Sequence, residues 1–228
     1  MNLPEEVRAA IDLIKAGQRQ EGVAALMQLA EADVASAQWI LGDFLMREEV
    51  VPEAEAICWL ERAAAHEHPQ AIYELALFRA ADAWPPAQGT SAANSLLRAG
   101  ELGCADAQYD IGTFLATGEW QDPSGASRGR LWYQRAAEQG HAMAQASLAA
   151  LLLDEGTPDD HSEGVRWLEA AAAQNEPEAL ARLEAAYREG LYGVIADVAR
   201  AESVHQRVEE YLEKYSLQNE ARRQRGAR

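Results

Sequence analysis

Small and apolar residues recur along this chain in blocks of about 35. Taking the second small residue of a repeated A-x-A or P-x-A start as an anchor gives Ala37, Ala71, Ala107, Ala144 and Ala179, spaced by 34, 36, 37 and 35 residues. Four residues after each anchor stands Leu41, Leu75, Ile111, Leu148 or Leu183, and eight after it Leu45, Arg79, Leu115, Leu152 or Tyr187. Offsets 0, 4 and 8 share one side of an α-helix, so each anchor predicts a helix with a single apolar stripe, interrupted at Arg79. At offset 5, Gly42, Ala76, Gly112 and Ala149 widen the stripe with small residues, and Glu184 breaks it.

A second helix precedes each anchor. It carries a small residue fifteen positions upstream, at Gly22, Ala56, Ala92, Gly129 and Gly164, and Ala201 continues the series. Twelve positions upstream lie Trp59, Trp132 and Trp167, with Ala25 and Ser95 in the other two units. Bulky rings alternating with small residues let helices approach closely. A period near 35 holds two helices of average length and two short turns, and such a hairpin buries its apolar faces only by stacking on others. The expected fold is therefore all-α, a right-handed α-solenoid of about six helix-turn-helix units. Pro52, Pro69, Pro123, Pro158 and Pro177 fall at its turns or helix starts, where a missing N–H costs little. The expected organisation is a capping helix in residues 1–18, a continuous array over 19–215 whose last helix ends at Glu209 to Tyr215, and a basic, flexible tail in 216–228.

Two stretches resemble a known family. Ala105-Asp106-Ala107-Gln108-Tyr109-Asp110-Ile111-Gly112 and Leu131-Trp132-Tyr133-Gln134-Arg135-Ala136-Ala137-Glu138-Gln139-Gly140-His141-Ala142 look like Sel1-like repeats, relatives of tetratricopeptide repeats. Tyr187, Gly190, Gly193, Val194, Asp197, Arg200 and Ala201 are similar to that family's glycine-bearing connection between helices. The resemblance spans nearly all of residues 20–205 and departs at the Trp84-Pro85-Pro86 insertion and in the first helix, Pro4 to Lys15. It implies an adaptor or scaffold of protein complexes, often bacterial, and names no partner.

Composition narrows the function classes. The apolar share of 48% is carried by Ala and Leu, with three Phe, which favours helices over strands. No apolar run is long enough for a membrane span or a standard signal peptide, and two isolated cysteines, Cys58 and Cys104, suit a reducing cytoplasm. The formal charge is -17; residues 216–228 hold four Arg against one Glu, which leaves -20 on the rest. Such a body repels nucleic acid and anionic membrane and attracts a basic protein surface.

Candidate chemistry is sparse, and no cofactor is expected. His66-Glu67-His68 is a weak metal pair lying at a turn, and with nearby carboxylates it is the one constellation from which an unrecognised hydrolase site could be built. Asp154, Glu155, Asp159 and Asp160 lack the oxygen pattern of a calcium loop and read as a solvated loop between helices. The stretch from Gly125 to Arg130 lacks the lysine of a phosphate loop and reads as a helix start. Neither cysteine has a neighbouring base.

The positions left for a partner lie opposite the apolar stripe. Offsets 2, 6, 9 and 13 point away from the core and are expected to line the concave groove of the solenoid. Offset 2 holds Trp39, Tyr73 and Tyr109 in successive units and then falls to Ala146 and Ala181; offset 13 adds Trp84 and Trp120, with Asp43 and Asp110 as nearby charge. The expected site is a peptide groove of Trp39, Asp43, Tyr73, Trp84, Tyr109 and Trp120, since aromatic rings dominate binding hot spots. The same rings could instead pack on the neighbouring repeat. A protein adaptor is the first reading, and an immunity or inhibitor protein that neutralises a basic toxin is the alternative.

Overall fold

A computed structural model describes residues 3–48, 53–80, 83–122, 124–154 and 156–226. Among these residues the chain forms α1 (Glu5–Lys15), α2 (Arg19–Glu31), α3 (Ala35–Glu48), α4 (Glu53–Ala65), α5 (Pro69–Ala80), α6 (Ser91–Glu101) and α7 (Ala105–Ala116). It continues with α8 (Gly125–Glu138), α9 (Ala142–Asp154), α10 (Pro158–Ala173), α11 (Pro177–Glu189), a single 3-10 turn at Leu191–Gly193 and α12 (Val198–Gly226), and no described residue is in a strand. The chain is an all-α helical-repeat solenoid, as its period predicts. None of its described helices is long and apolar enough to cross a membrane. Packing resolves into two units: Met1–Phe114 with Gly118–Gln121, and Leu115–Thr117 with Asp122–Arg228.

The stripe drawn from the sequence is the core within each unit. All five anchors are fully buried, and Leu41, Leu75, Ile111, Leu148 and Leu183 are at most 4% exposed. Arg79 turns outward to Glu61 at 3.3 Å, and Glu184 is held at the edge of the stripe by Arg188 at 2.7 Å and His205 at 3.3 Å. The small residues of the preceding helices are where helices touch. A Cβ on Gly22 would lie 2.7 Å from the Ala10 carbonyl oxygen of α1, and one on Gly164 would lie 2.8 Å from Leu153 of α9. Any side chain there would push the helices of a hairpin apart.

The turn before each anchor repeats one geometry. The residue four positions upstream is left-handed in every unit: Asp33 (φ 61°), Glu67 (56°), Gly103 (96°), Gly140 (86°) and Asn175 (61°). The following N–H reaches back five residues, as from Val34 to the Leu29 carbonyl, His68 to Ala63, Cys104 to Ala99, His141 to Ala136 and Glu176 to Ala171, at 2.9–3.1 Å. These bonds satisfy carbonyls that the helix end leaves open, and the left-handed residue reverses the chain into the next helix.

Two details depart from the sequence expectations. The last helix does not stop at Tyr215 but runs to Gly226, because Leu217 to Arg225 contains good helix formers and no Gly or Pro. Asp159 and Asp160 are not in a loop; they form the first turn of α10, where Asp160 and Thr157 close a capping box behind Pro158. The prolines follow the expectation where they are described: Pro69, Pro158 and Pro177 each open a helix, whereas Pro52 and Pro123 lie outside the described residues.

Candidate binding face on α3, α5 and α7

The first unit places the offset-2 aromatics on successive helices. Trp39 on α3 donates its indole N–H to Glu74 Oε1 on α5 at 2.7 Å, and Tyr73 on α5 donates its hydroxyl to Asp110 Oδ2 on α7 at 2.8 Å. Both acceptors stand three residues after the next anchor, so the same contact recurs one repeat further on. A ring at offset 2 is tied to the carboxylate of its neighbour, and both rings are half-buried. Burial, followed by the charge of Asp110, holds the Tyr73 hydroxyl far above the usual phenol range. Trp39 also stacks on His68, with centroids 4.9 Å apart and planes 24° from parallel.

Beside this ladder lies an open cleft of about 580 Å³, lined by Asp43, Met46, Arg47, Leu60, Gln70, Tyr73, Glu74, Leu77, Phe78 and Asp106. Its lining sets three carboxylates against one cation, Arg47, which pairs with Asp43 at 2.7 Å. Gln70 donates to Asp106 at 3.0 Å. Burial pushes Glu74 up to about 7; Asp43 and Asp106 add to the shift, while Trp39 and Arg47 oppose it. Leu77 and Phe78 are 36% and 40% exposed at the rim, so the cleft offers apolar contact and negative charge together.

Of the residues proposed from sequence, Asp43 and Tyr73 line this cleft, and Trp39 stands behind Glu74. Tyr109 is half-buried on α7 and outside the lining. Trp84, half-buried, packs edge-on against Phe114 with centroids 5.6 Å apart. Trp120 does not reach a groove edge. It is 3% exposed, lies 5.5 Å from Phe114, and donates its indole N–H to the Pro86 carbonyl at 2.9 Å. The Trp84-Pro85-Pro86 insertion supplies that acceptor, so Trp120 is engaged by Pro86 and Phe114.

Sequence reasoning missed Gln70, Glu74, Phe78, Arg47 and Asp106. These stand at offsets -1, 3, 7 and 10, and at about 100° of rotation per residue they point roughly 60–140° past the direction of offset 2. The available signal was the spacing Gln70, Glu74, Leu77 on one helix beside Asp106, Asp110 on the next.

His66 and His68 serve separate contacts. His68 is 7% exposed beneath Trp39, neither ring nitrogen has a hydrogen-bond partner, and burial pushes it down to about 4. His66 is exposed, 3.9 Å from Asp33. Among the described residues, no group of three potential ligands could hold a metal ion. Three buried glutamines, Gln38, Gln108 and Gln145, donate to carbonyls eight residues earlier, at Ala30, Gly100 and Ala137, and join each turn to the helix before it.

Comparison with known proteins agrees with this architecture. The pattern of the Sel1 repeat matches residues 35–68, 105–141 and 142–176. A Sel1 repeat protein from Oxalobacter formigenes is similar in structure, with a TM-score of 0.74, 23% identity, and coverage of 90% of this chain and 86% of that one. An immunity protein from Pseudomonas aeruginosa gives 0.64 and 19%, over 95% and 84% of the two chains. A protective antigen of uropathogenic Escherichia coli strains gives 0.61 and 22%; the match covers 90% of this chain and 51% of that larger one. At these identities the likeness is one of fold. A search among curated proteins finds no match.

Proposed function

This chain is a Sel1-like repeat protein, and from that premise we propose that it is a non-catalytic adaptor that binds another protein through the face formed by α3, α5 and α7. The supporting observation is the cleft itself. Leu77, Phe78 and Met46 give apolar contact beside Asp43, Glu74 and Asp106, on helices held in register by the Trp39–Glu74 and Tyr73–Asp110 bonds. A rigid, mixed apolar and charged surface is what a protein hot spot requires. The reducing cytoplasm is the proposed setting, where Cys58 and Cys104 stand as free thiols.

The test is affinity capture from a bacterial lysate, with Leu77→Ala, Phe78→Ala compared with a control pair on the other unit, Leu131→Ala, Met143→Ala. All four side chains are at least 36% exposed, so neither truncation opens a cavity in the core, and circular dichroism checks that both variants keep their helices. A partner lost from the first variant and kept by the second supports the face; equal recovery by both refutes it.

The net charge of -17 favours one version of this reading, an immunity or inhibitor protein that covers a basic effector. Solved immunity proteins share the fold, and charge is what supports the role here. Its mark is association that slows steeply as salt rises from 50 to 500 mM, on the order of tenfold. Salt-independent association would leave the adaptor without this role.

A further inference from the structure

We propose that the cleft on α3, α5 and α7 receives a cationic side chain of the bound protein, an arginine or lysine with an apolar neighbour, and that Glu74 is the carboxylate that pairs with it. This deepens the binding-face reading and rests on it. Glu74 is oriented before any partner arrives: its Oε1 accepts the Trp39 indole N–H at 2.7 Å, and Trp39 is itself fixed by its stack on His68. A carboxylate has about four lone-pair sites, so this bond sets the group's direction and leaves acceptor capacity for a second donor.

Its surroundings select for positive charge. Asp43 lies on α3 and Asp106 on α7, each contributing to the same cleft, and the cation in the lining, Arg47, is engaged by Asp43. The carboxylate is only half solvated, so a cation brought to it replaces hydration that Glu74 lacks and meets less screening than at an open surface. The cleft volume of about 580 Å³ exceeds one long side chain, and Met46, Leu77 and Phe78 line the remainder. Those residues call for an apolar neighbour beside the charged one. Phosphate-bearing ligands are disfavoured by the same carboxylates.

The full chain, labelled with ¹⁵N, is titrated with the peptides acetyl-Leu-Arg-Leu-amide and acetyl-Leu-Lys-Leu-amide, and with the neutral isostere in which citrulline replaces arginine. The reporter is the Trp39 indole N–H resonance, identified by its loss in Trp39→Phe. At least one cationic peptide should shift it saturably, with the citrulline peptide at least tenfold weaker. Glu74→Gln, whose amide oxygen can still accept the indole N–H, should keep a dispersed spectrum and weaken the cationic peptide at least tenfold. A response equal for arginine, lysine and citrulline, or one undiminished in Glu74→Gln, overturns the proposal, as does no response to either cationic peptide.

Capture experiments separate this failure from that of the parent reading. A partner lost with Leu77→Ala, Phe78→Ala but retained by Glu74→Gln leaves the binding face standing and removes the cation from it. A partner retained by both variants removes the face itself.

Discussion

Glu74 and His68 meet the same ring, Trp39, and their titrations oppose each other. Glu74 moves from an ordinary 4.5 to about 7 in the fold. Its folded state therefore holds the proton more tightly, and the stability it contributes is present below pH 4.5 and lost as pH rises through 7. The full displacement corresponds to about 3 kcal/mol, which its partial exposure trims to about 1–2 kcal/mol. His68 moves the other way, from 6.5 to about 4, so its contribution is present above pH 6.5 and lost as pH falls through 4, with a magnitude of about 2–3 kcal/mol. Between pH 4.5 and 6.5 the two slopes oppose each other in the wild type, so the loss from Glu74 offsets part of the gain from His68. Glu74→Gln should be about 1–2 kcal/mol more stable than wild type at pH 8 and equal to it near pH 5, exposing the His68 slope. His68→Phe, which keeps the stack on Trp39, should gain stability relative to wild type as pH falls from 7 to 5. The assay is urea unfolding followed by circular dichroism at pH 5, 6, 7 and 8, with differences from wild type taken at each pH so that the other carboxylates drop out. A Glu74→Gln difference that is constant with pH, or a loss of stability at pH 8, would refute this account. Stabilisation at pH 8 would mark Glu74 as a residue that costs the resting chain stability, as functional groups commonly do.

Three further outcomes follow from packing. Glu67 is a non-glycine residue at φ 56° where two other units place glycine, and its pairing with Arg98 is exposed; Glu67→Gly should raise stability by about 1 kcal/mol, while Gly140→Ala, at φ 86° with open space around its Cβ, should lower it by about 1, both read as shifts in urea midpoint. Gly22→Ala should cost more than about 2 kcal/mol although alanine is the better helix former, because the new Cβ would sit 2.6 Å from Ile14 and 2.7 Å from the Ala10 carbonyl; an unchanged melting temperature would contradict the close approach. Cys58 is exposed, whereas Cys104 is 2% exposed, donates to Gln70 at 3.2 Å, and is pushed by burial up to about 12. A disulfide-exchange reagent at pH 8 should titrate one thiol in minutes and the second only on unfolding.

The repeat was legible because each unit must bury the same stripe against the next. That demand fixes Ala at the anchors, Leu or Ile four residues on, and a small residue fifteen before, and all of these are written in the spacing of residue types. The left-handed turn residue was less visible. Gly103 and Gly140 announce it, but Asp33, Glu67 and Asn175 adopt the same conformation because the Schellman bonds around them hold it. The helix end at Gly226 was misread from charge and terminal position, although helix propensity alone continues past Tyr215.

The aromatic run on α3, α5 and α7 could be found by counting along one helix at a time. Which of its members face outward could not, because that depends on the rotation of each helix against its neighbour. Packing turned Trp39 and Tyr73 toward the next repeat's carboxylates, buried Trp120 against Pro86, and brought Glu74 and Asp106 into the cleft from positions that a single helix wheel places to one side. Period and composition are local quantities and determined the fold class; solvation of a carboxylate and the walls of a cleft are set by several helices at once, and only the tertiary structure decided them.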